Sequence, residues 1–140
     1  MVGLVVVSHS ERAAHGIVEV ASEMGGDALI EAVGGDPDGG IGTSMDAIRD
    51  GIEAAADGDD ADGNDSDGGA DGVVVLVDLG SAVMNAEIAI EEADVDGDIE
   101  IADAPVLEGT VNAAVEATSP KATVESVVEA AIEAREHRKL

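Results

Sequence analysis

Two short runs, Gly3-Leu4-Val5-Val6-Val7 and Gly72-Val73-Val74-Val75-Leu76-Val77, contain no polar side chain and consist mostly of β-branched residues. A half-exposed strand alternates apolar with polar residues. These two runs do not alternate, so both of their faces must be covered. The architecture that covers them is a mainly parallel sheet between two helical layers. The intervening segments change period accordingly. Residues 11–25 carry Ala14, Ile17, Ala21 and Met24 at helical spacing, and Gly25-Gly26 stops that helix. Ala28 to Val33 reads as a second strand, and Gly34 to Gly42 as a glycine- and aspartate-rich loop. Thr43 has the chemistry of an N-cap for a helix whose apolar stripe is Met45, Ile48, Ile52 and Ala55, with Asp46 completing an imperfect capping box. Residues 57–72 are nearly all Asp, Gly, Asn, Ser and Ala, the composition of a solvated surface loop. After the second apolar run come a helix from about Ser81 to Ala93, a short strand at Ile99–Ile101, a helix from about Glu108 to Ala117, and a last amphipathic helix from near Thr123. That last helix has Val124, Val127, Val128, Ala131 and Ile132 as its stripe.

The expected fold is therefore α/β: a single domain over residues 1–140, a three-layer sandwich on a sheet of four to five strands. Right-handed crossovers favour the strand order 2-1-3-4, which sets the first and third strands side by side with the topological switch point between them. The chain lacks Phe, Tyr, Trp and Cys, so the core must be built from Val, Ala and Ile, and disulfides and thiolate metal sites are excluded. Its formal charge is -26, from 32 acids against 6 Lys and Arg. Such self-repulsion opposes compaction in dilute salt and is largely screened at molar salt, where the Debye length is about 3 Å. With acid on every element, this reads as the surface of a cytoplasmic protein working in concentrated salt. Nucleic-acid binding has the wrong electrostatic sign. No apolar stretch approaches the roughly 20 residues of a membrane span, and the N-terminus carries no basic leader.

His9 follows the first apolar run directly, in Val7-Ser8-His9-Ser10-Glu11. It stands at the carboxyl end of a strand and the start of a helix, where open α/β sheets place their ligands. Asp78 follows the third strand, so the order 2-1-3-4 sets it opposite His9 across 69 residues of sequence. A neutral imidazole can attack phosphorus through one ring nitrogen if the other is protonated and oriented, and a carboxylate does that. Ser10, with Gly80 and Ser81, would offer hydroxyl and backbone N–H groups at two helix starts. Gly42, Thr43 and Ser44, in Gly39-Gly40-Ile41-Gly42-Thr43-Ser44, would bring a third. No metal and no bound cofactor is needed. The glycine loop has neither the GxGxxG nor the GK[ST] pattern, so it carries no dinucleotide or P-loop signature. His15 reads as an exposed helix residue and His137 as incidental. Glu92, Asp94, Asp96, Gly97, Ile99 and Asp103 match the spacing of a calcium loop with its end ligands exchanged. A strand expected through Ile99 argues against that reading. A non-catalytic module binding nucleotide or flavin at the same switch point stays open as an alternative, although the chain has no aromatic ring for stacking.

Several segments together carry a resemblance. Val5-Val6-Val7-Ser8-His9-Ser10 is similar to the active-histidine segment of mannose-type IIA domains of the bacterial phosphotransferase system. Gly34-Gly35 to Gly42-Thr43-Ser44, Val77 to Glu87, and Asp103 to Gly109 narrow it to the DhaM-type domains of phosphoenolpyruvate-dependent dihydroxyacetone kinase. The resemblance implies a phosphohistidine carrier. The phosphocarrier HPr would phosphorylate His9 with a group derived from phosphoenolpyruvate. The group would pass to ADP on the DhaL subunit, and from ATP to dihydroxyacetone on DhaK. It implies that Asp78 bonds one ring nitrogen while the other carries the phosphate. It also implies a homodimer, with the HPr and enzyme I-like functions fused in some relatives supplied by separate proteins. The IIA component of a mannose-type sugar transporter is the nearest alternative.

Overall fold

The computed structural model describes residues 1–58 and 70–140. Strand β1 (Val2–Ser8) leads into helix α1 (Glu11–Gly25), followed by β2 (Ile30–Gly34) and α2 (Met45–Asp57). Then come β3 (Gly72–Val77), a 3₁₀ turn (Gly80–Ala82), α3 (Val83–Glu92), β4 (Asp98–Ala102), α4 (Val106–Ala117), α5 (Val124–Glu133) and a terminal 3₁₀ turn (Ala134–Glu136). The described strands form one parallel sheet in the order β2-β1-β3-β4. Of the expected 57–72 loop, Asp57 closes α2 and Gly72 opens β3, and residues 59–69 lie outside the described residues.

Alternation along the central strands divides the core. Val2 and Leu4 of β1, with Val74 and Leu76 of β3, face α1, α4 and α5. Val5 and Val7, with Val73 and Val75, face α2 and α3. The side chains of Leu4 to Val7 and Val73 to Leu76 are fully buried, which is why neither run tolerates a polar residue. Each such side chain contributes about 1.5–3 kcal/mol on burial, so the two central strands anchor the domain. Small residues bring the helices in close. A Cβ on Gly25 of α1 would sit 2.5 Å from that of Ala114 on α4.

The differences from the expected elements have local causes. The residue of α1 that faces α4 is Gly25, not Met24, which is 63% exposed. The cap of α2 is Ser44 rather than Thr43: the Ser44 hydroxyl accepts from the Ala47 N–H at 3.2 Å. Both residues have capping chemistry, and a contact to α3 occupies Thr43. Strand β2 starts at Ile30, two residues later than expected, where its parallel pairing with Leu4 begins and the Leu4 N–H donates to the Leu29 carbonyl at 2.9 Å. Helix α4 starts two residues earlier, at Val106, directly after Pro105, a residue suited to a helix start. The third helix begins as the 3₁₀ turn over Gly80–Ala82 and becomes α-helical only at Val83.

Gly34 ends β2 against the start of α1, where a Cβ would lie 2.5 Å from the Ser10 carbonyl oxygen and 2.8 Å from Glu11 Cα. Both obstacles are backbone and cannot rotate away. Gly34→Ala should therefore cost about 1–3 kcal/mol, read as a lowered midpoint of chemical denaturation in molar salt. An unchanged midpoint would mean that the β2–α1 junction can separate freely. Wild-type stability should also fall steeply as KCl is lowered from about 3 M to 0.1 M, followed by circular dichroism, because screening of the -26 charge is lost.

Candidate active site

The β1–β3 pairing sets the geometry. Val7 pairs with Val77, and the Asp78 N–H continues the ladder to the Val7 carbonyl at 3.0 Å. Asp78 is thereby held beside Ser8 and His9 at the carboxyl end of the sheet. Its carboxylate collects three donors. Oδ2 accepts from the Ser8 hydroxyl and from the His9 backbone N–H, each at 2.9 Å. Oδ1 lies 2.9 Å from His9 Nδ1. Partial burial works to raise the Asp78 pKa, but the His9 N–H, the His9 ring and the Ser8 hydroxyl together hold it below the usual aspartate value. The carboxyl group is thus an anion at neutral pH and can only accept. Nδ1 therefore carries the ring proton, and the lone pair is left on Nε2. The Ser81 hydroxyl stands 2.9 Å from Nε2 and is the donor to that lone pair. The His9 and Asp78 side chains, 20% and 19% exposed, are neither sealed in nor free in solvent.

The opposition of His9 and Asp78 expected from topology is present. The other expected residues divide. Ser81 reaches the ring. Ser10 lies next to His9, and its hydroxyl caps α1 by accepting from Ala13 N–H at 3.2 Å, while its own N–H donates to Ser8 Oγ at 3.1 Å. Gly42 is beside His9, but its N–H donates to the His9 carbonyl at 2.8 Å, so it positions the histidine segment instead of presenting a free donor. Its φ of 153° marks a conformation that favours glycine. The Thr43 hydroxyl accepts from Asn85 Nδ2 at 2.7 Å, which ties the glycine loop to α3, and Ser44 is used as a cap. Gly80 is exposed at the start of the 3₁₀ turn.

Three contributors were not singled out for these roles from the sequence. Ser8 is 2% exposed, and its hydroxyl links Asp78 to the Ser10 N–H. A serine ending an otherwise apolar strand was the available signal. Asn85 anchors Thr43, and nothing local marks it. Asp36 folds the glycine loop by accepting from Asp38 N–H at 2.9 Å and Gly40 N–H at 2.8 Å, the aspartate-turn chemistry that Asp-Pro-Asp-Gly-Gly announces.

Elsewhere, His15 is exposed on α1, 3.9 Å from Glu11, and His137 lies past the last turn. The calcium-spaced residues fall on the end of α3, a connection, strand β4 and the residue just past it, not in a helix–loop–helix. Among the described residues no three His, Asp or Glu side chains converge to hold a metal, and no helix is long and apolar enough to cross a membrane. A cleft of about 410 Å³ is lined by Val77 to Gly80, Val83, Glu87 and Ile101 to Ala104, so Asp78 borders it, and His9 does not line it.

Asp78→Asn should leave the Ser8 hydroxyl and His9 N–H facing a neutral amide and cost about 1–3 kcal/mol near neutral pH. A carboxylate with a lowered folded-state pKa contributes stability that is present above its ordinary value and lost as pH falls through the lowered one. The variant's acid-limb stability should accordingly be flatter than that of wild type. Ring ¹⁵N shifts should report a protonated Nδ1 in wild type and a mixed tautomer in the variant; a mixed tautomer in wild type would remove Asp78 as the orienting group.

Comparison with known proteins gives the chain's family. A family model described as PTS system fructose IIA component (EIIA-man) matches residues 3–62 and 64–128. The chain is 35% identical over 146 residues to the phosphoryl donor subunit DhaM of phosphoenolpyruvate-dependent dihydroxyacetone kinase from Klebsiella michiganensis; the match takes in 100% of this chain and 28% of the relative. It is 34% identical to DhaM of Escherichia coli, again over 28% of that protein, so the chain spans little more than a quarter of the length of these relatives. A phosphoryl donor subunit DhaM from Listeria innocua is of similar size: 37% identity over 107 residues covers 76% of this chain and 74% of the relative. The crystal structure of the unknown-function protein EF1359 superposes with a TM-score of 0.71 and 29% identity, covering 93% of this chain and 92% of that one. The chain belongs to the IIA component family of the phosphotransferase system, on its DhaM-like branch.

Proposed function

We propose that this chain is the phosphohistidine carrier of a phosphoenolpyruvate-dependent dihydroxyacetone kinase, with His9 Nε2 as the phosphoryl-bearing atom. The observation that carries the reading is the Asp78–His9–Ser81 alignment, which favours the tautomer with the proton on Nδ1 and leaves Nε2 as the nucleophile. The Nε2 lone pair attacks phosphorus on a phosphohistidine of HPr. The donor N–P bond breaks, its electron pair returns to the donor ring, and a new N–P bond forms on His9. Positive charge developing on the imidazole is stabilised by the Asp78 anion, and no proton leaves Nδ1. The Ser81 hydroxyl rotates from the lone pair to a phosphoryl oxygen, and the exposed turn at Gly80-Ser81 provides further N–H donors. In the second half-reaction a terminal oxygen of ADP on DhaL attacks phosphorus and the N–P bond to His9 breaks. The relatives named as phosphoryl donor subunits support this acceptor over a sugar-transport partner.

Incubation with phosphoenolpyruvate, enzyme I and HPr should add one acid-labile phosphate to the peptide around His9, read by intact mass and fragmentation. DhaL with ADP should remove it. His9→Gln should abolish labelling with the fold retained. Asp78→Asn should slow transfer about tenfold or more, and His15→Gln should match wild type. Labelling that persists in the His9→Gln protein would overturn the assignment.

A further inference from the structure

Two polar side chains are buried among the described residues, Ser8 and Thr110. Thr110 lies inside α4, and its hydroxyl donates to the Val106 carbonyl one turn back, a bond within its own helix. Ser8 bonds outside its own strand. Its Oγ accepts from the Ser10 N–H at 3.1 Å, which leaves the hydroxyl proton for Asp78 Oδ2 at 2.9 Å. An alanine would end this apolar strand without the cost of burying a hydroxyl, so the group serves the carboxylate and not the core.

The two oxygens of Asp78 have different tasks. Oδ1 faces His9 Nδ1, while Oδ2 takes the Ser8 hydroxyl and the His9 backbone N–H. One negative charge is shared between them, so a donor at Oδ2 draws charge from Oδ1 and weakens its hold on the ring proton. The Ser10 N–H, at the start of α1, polarises the Ser8 hydroxyl in the same sense. Phosphorylation at Nε2 leaves the proton on Nδ1 and puts positive charge on the ring. The Oδ1–Nδ1 bond therefore counts for more in the phosphorylated protein than in the free one. A carrier must also give the group up, and whatever favours its acceptance opposes its delivery by the same amount.

We infer that Ser8 is a positioning residue that sets how tightly His9 holds its phosphoryl group, by holding Asp78 Oδ2 and so limiting the strength of the Oδ1–Nδ1 bond. This rests on the phosphocarrier reading above. The bonds made and broken are unchanged: the donor N–P bond breaks, the Nε2–P bond forms, and Nδ1 keeps its proton. Ser8 alters only the balance between the phosphorylated and the free ring.

The test mixes the whole chain in molar KCl with phosphorylated HPr and reads, by intact mass, the equilibrium ratio of phosphorylated His9 to phosphorylated HPr. Ser8→Ala should raise that ratio about fivefold and disfavour delivery to ADP on DhaL by the same factor. The Nδ1–H proton of Ser8→Ala should resonate further downfield than in wild type, because its bond to Asp78 is stronger. Ser8→Thr keeps a hydroxyl and should restore the wild-type ratio. Ser8→Cys, with a weak S–H donor, should raise the ratio about twofold, and it is the variant compared if the alanine substitution unfolds the chain. Thr110→Val removes the other buried hydroxyl and should leave the ratio unchanged. Circular dichroism establishes that each variant is folded before ratios are compared. An unchanged or lowered ratio in the folded Ser8 variants, or an equal rise in Thr110→Val, would overturn this role of Ser8 while the phosphocarrier reading stands. A wild-type protein that takes no label would overturn both.

Discussion

Strand β1 is hydrogen-bonded along both edges and buried on both faces, and the position of every functional group follows from its pairing with β3. The pairing is parallel, so both strands end at the same side of the sheet, and the register Val7 to Val77 brings the next residues of each chain segment level. Helix α1 leaves one face and helix α2 the other, which opens the crevice between the strand ends. A shift of one residue in this register would exchange the core faces of β3 and carry Asp78 away from His9. The fully buried Val and Leu side chains of both strands oppose such a shift, so the core and the reactive site are secured by the same contacts.

The site adds little strain to this frame. Its buried serine is satisfied twice, and its carboxylate accepts three hydrogen bonds. His9 is held by its backbone N–H, its backbone carbonyl and both ring nitrogens, and the partners come from β3, the glycine loop and the Gly80–Ala82 turn. Such preorganisation suits a reaction in which the protein supplies orientation and charge stabilisation while the incoming phosphoryl compound supplies the energy. The glycines and serines of the surrounding loops act mainly by shaping and capping the segments that carry His9 and Thr43. Fewer of them than the sequence pattern suggested face the reacting atom as free donors.

The acid-rich surface acts against this frame. A formal charge of -26 opposes compaction in dilute salt and is largely screened at molar salt.

The class of fold, the layer order and the opposition of His9 and Asp78 were legible in the sequence, because unbroken apolar strands permit few topologies and right-handed crossovers choose among them. The periodicity that located the helices could not settle their ends: Thr43 and Ser44 have the same capping chemistry, and only the Asn85 contact from another helix decides between them. Nor could it show that Gly42 spends its N–H on the His9 carbonyl, or that Ser81 rather than Ser10 reaches the imidazole. Sequence patterning reports what a residue does for its own element, through burial and local backbone bonding. Which ring nitrogen keeps its lone pair depends on groups brought together from two segments 69 or more residues apart, and that was decided only when the sheet closed around them.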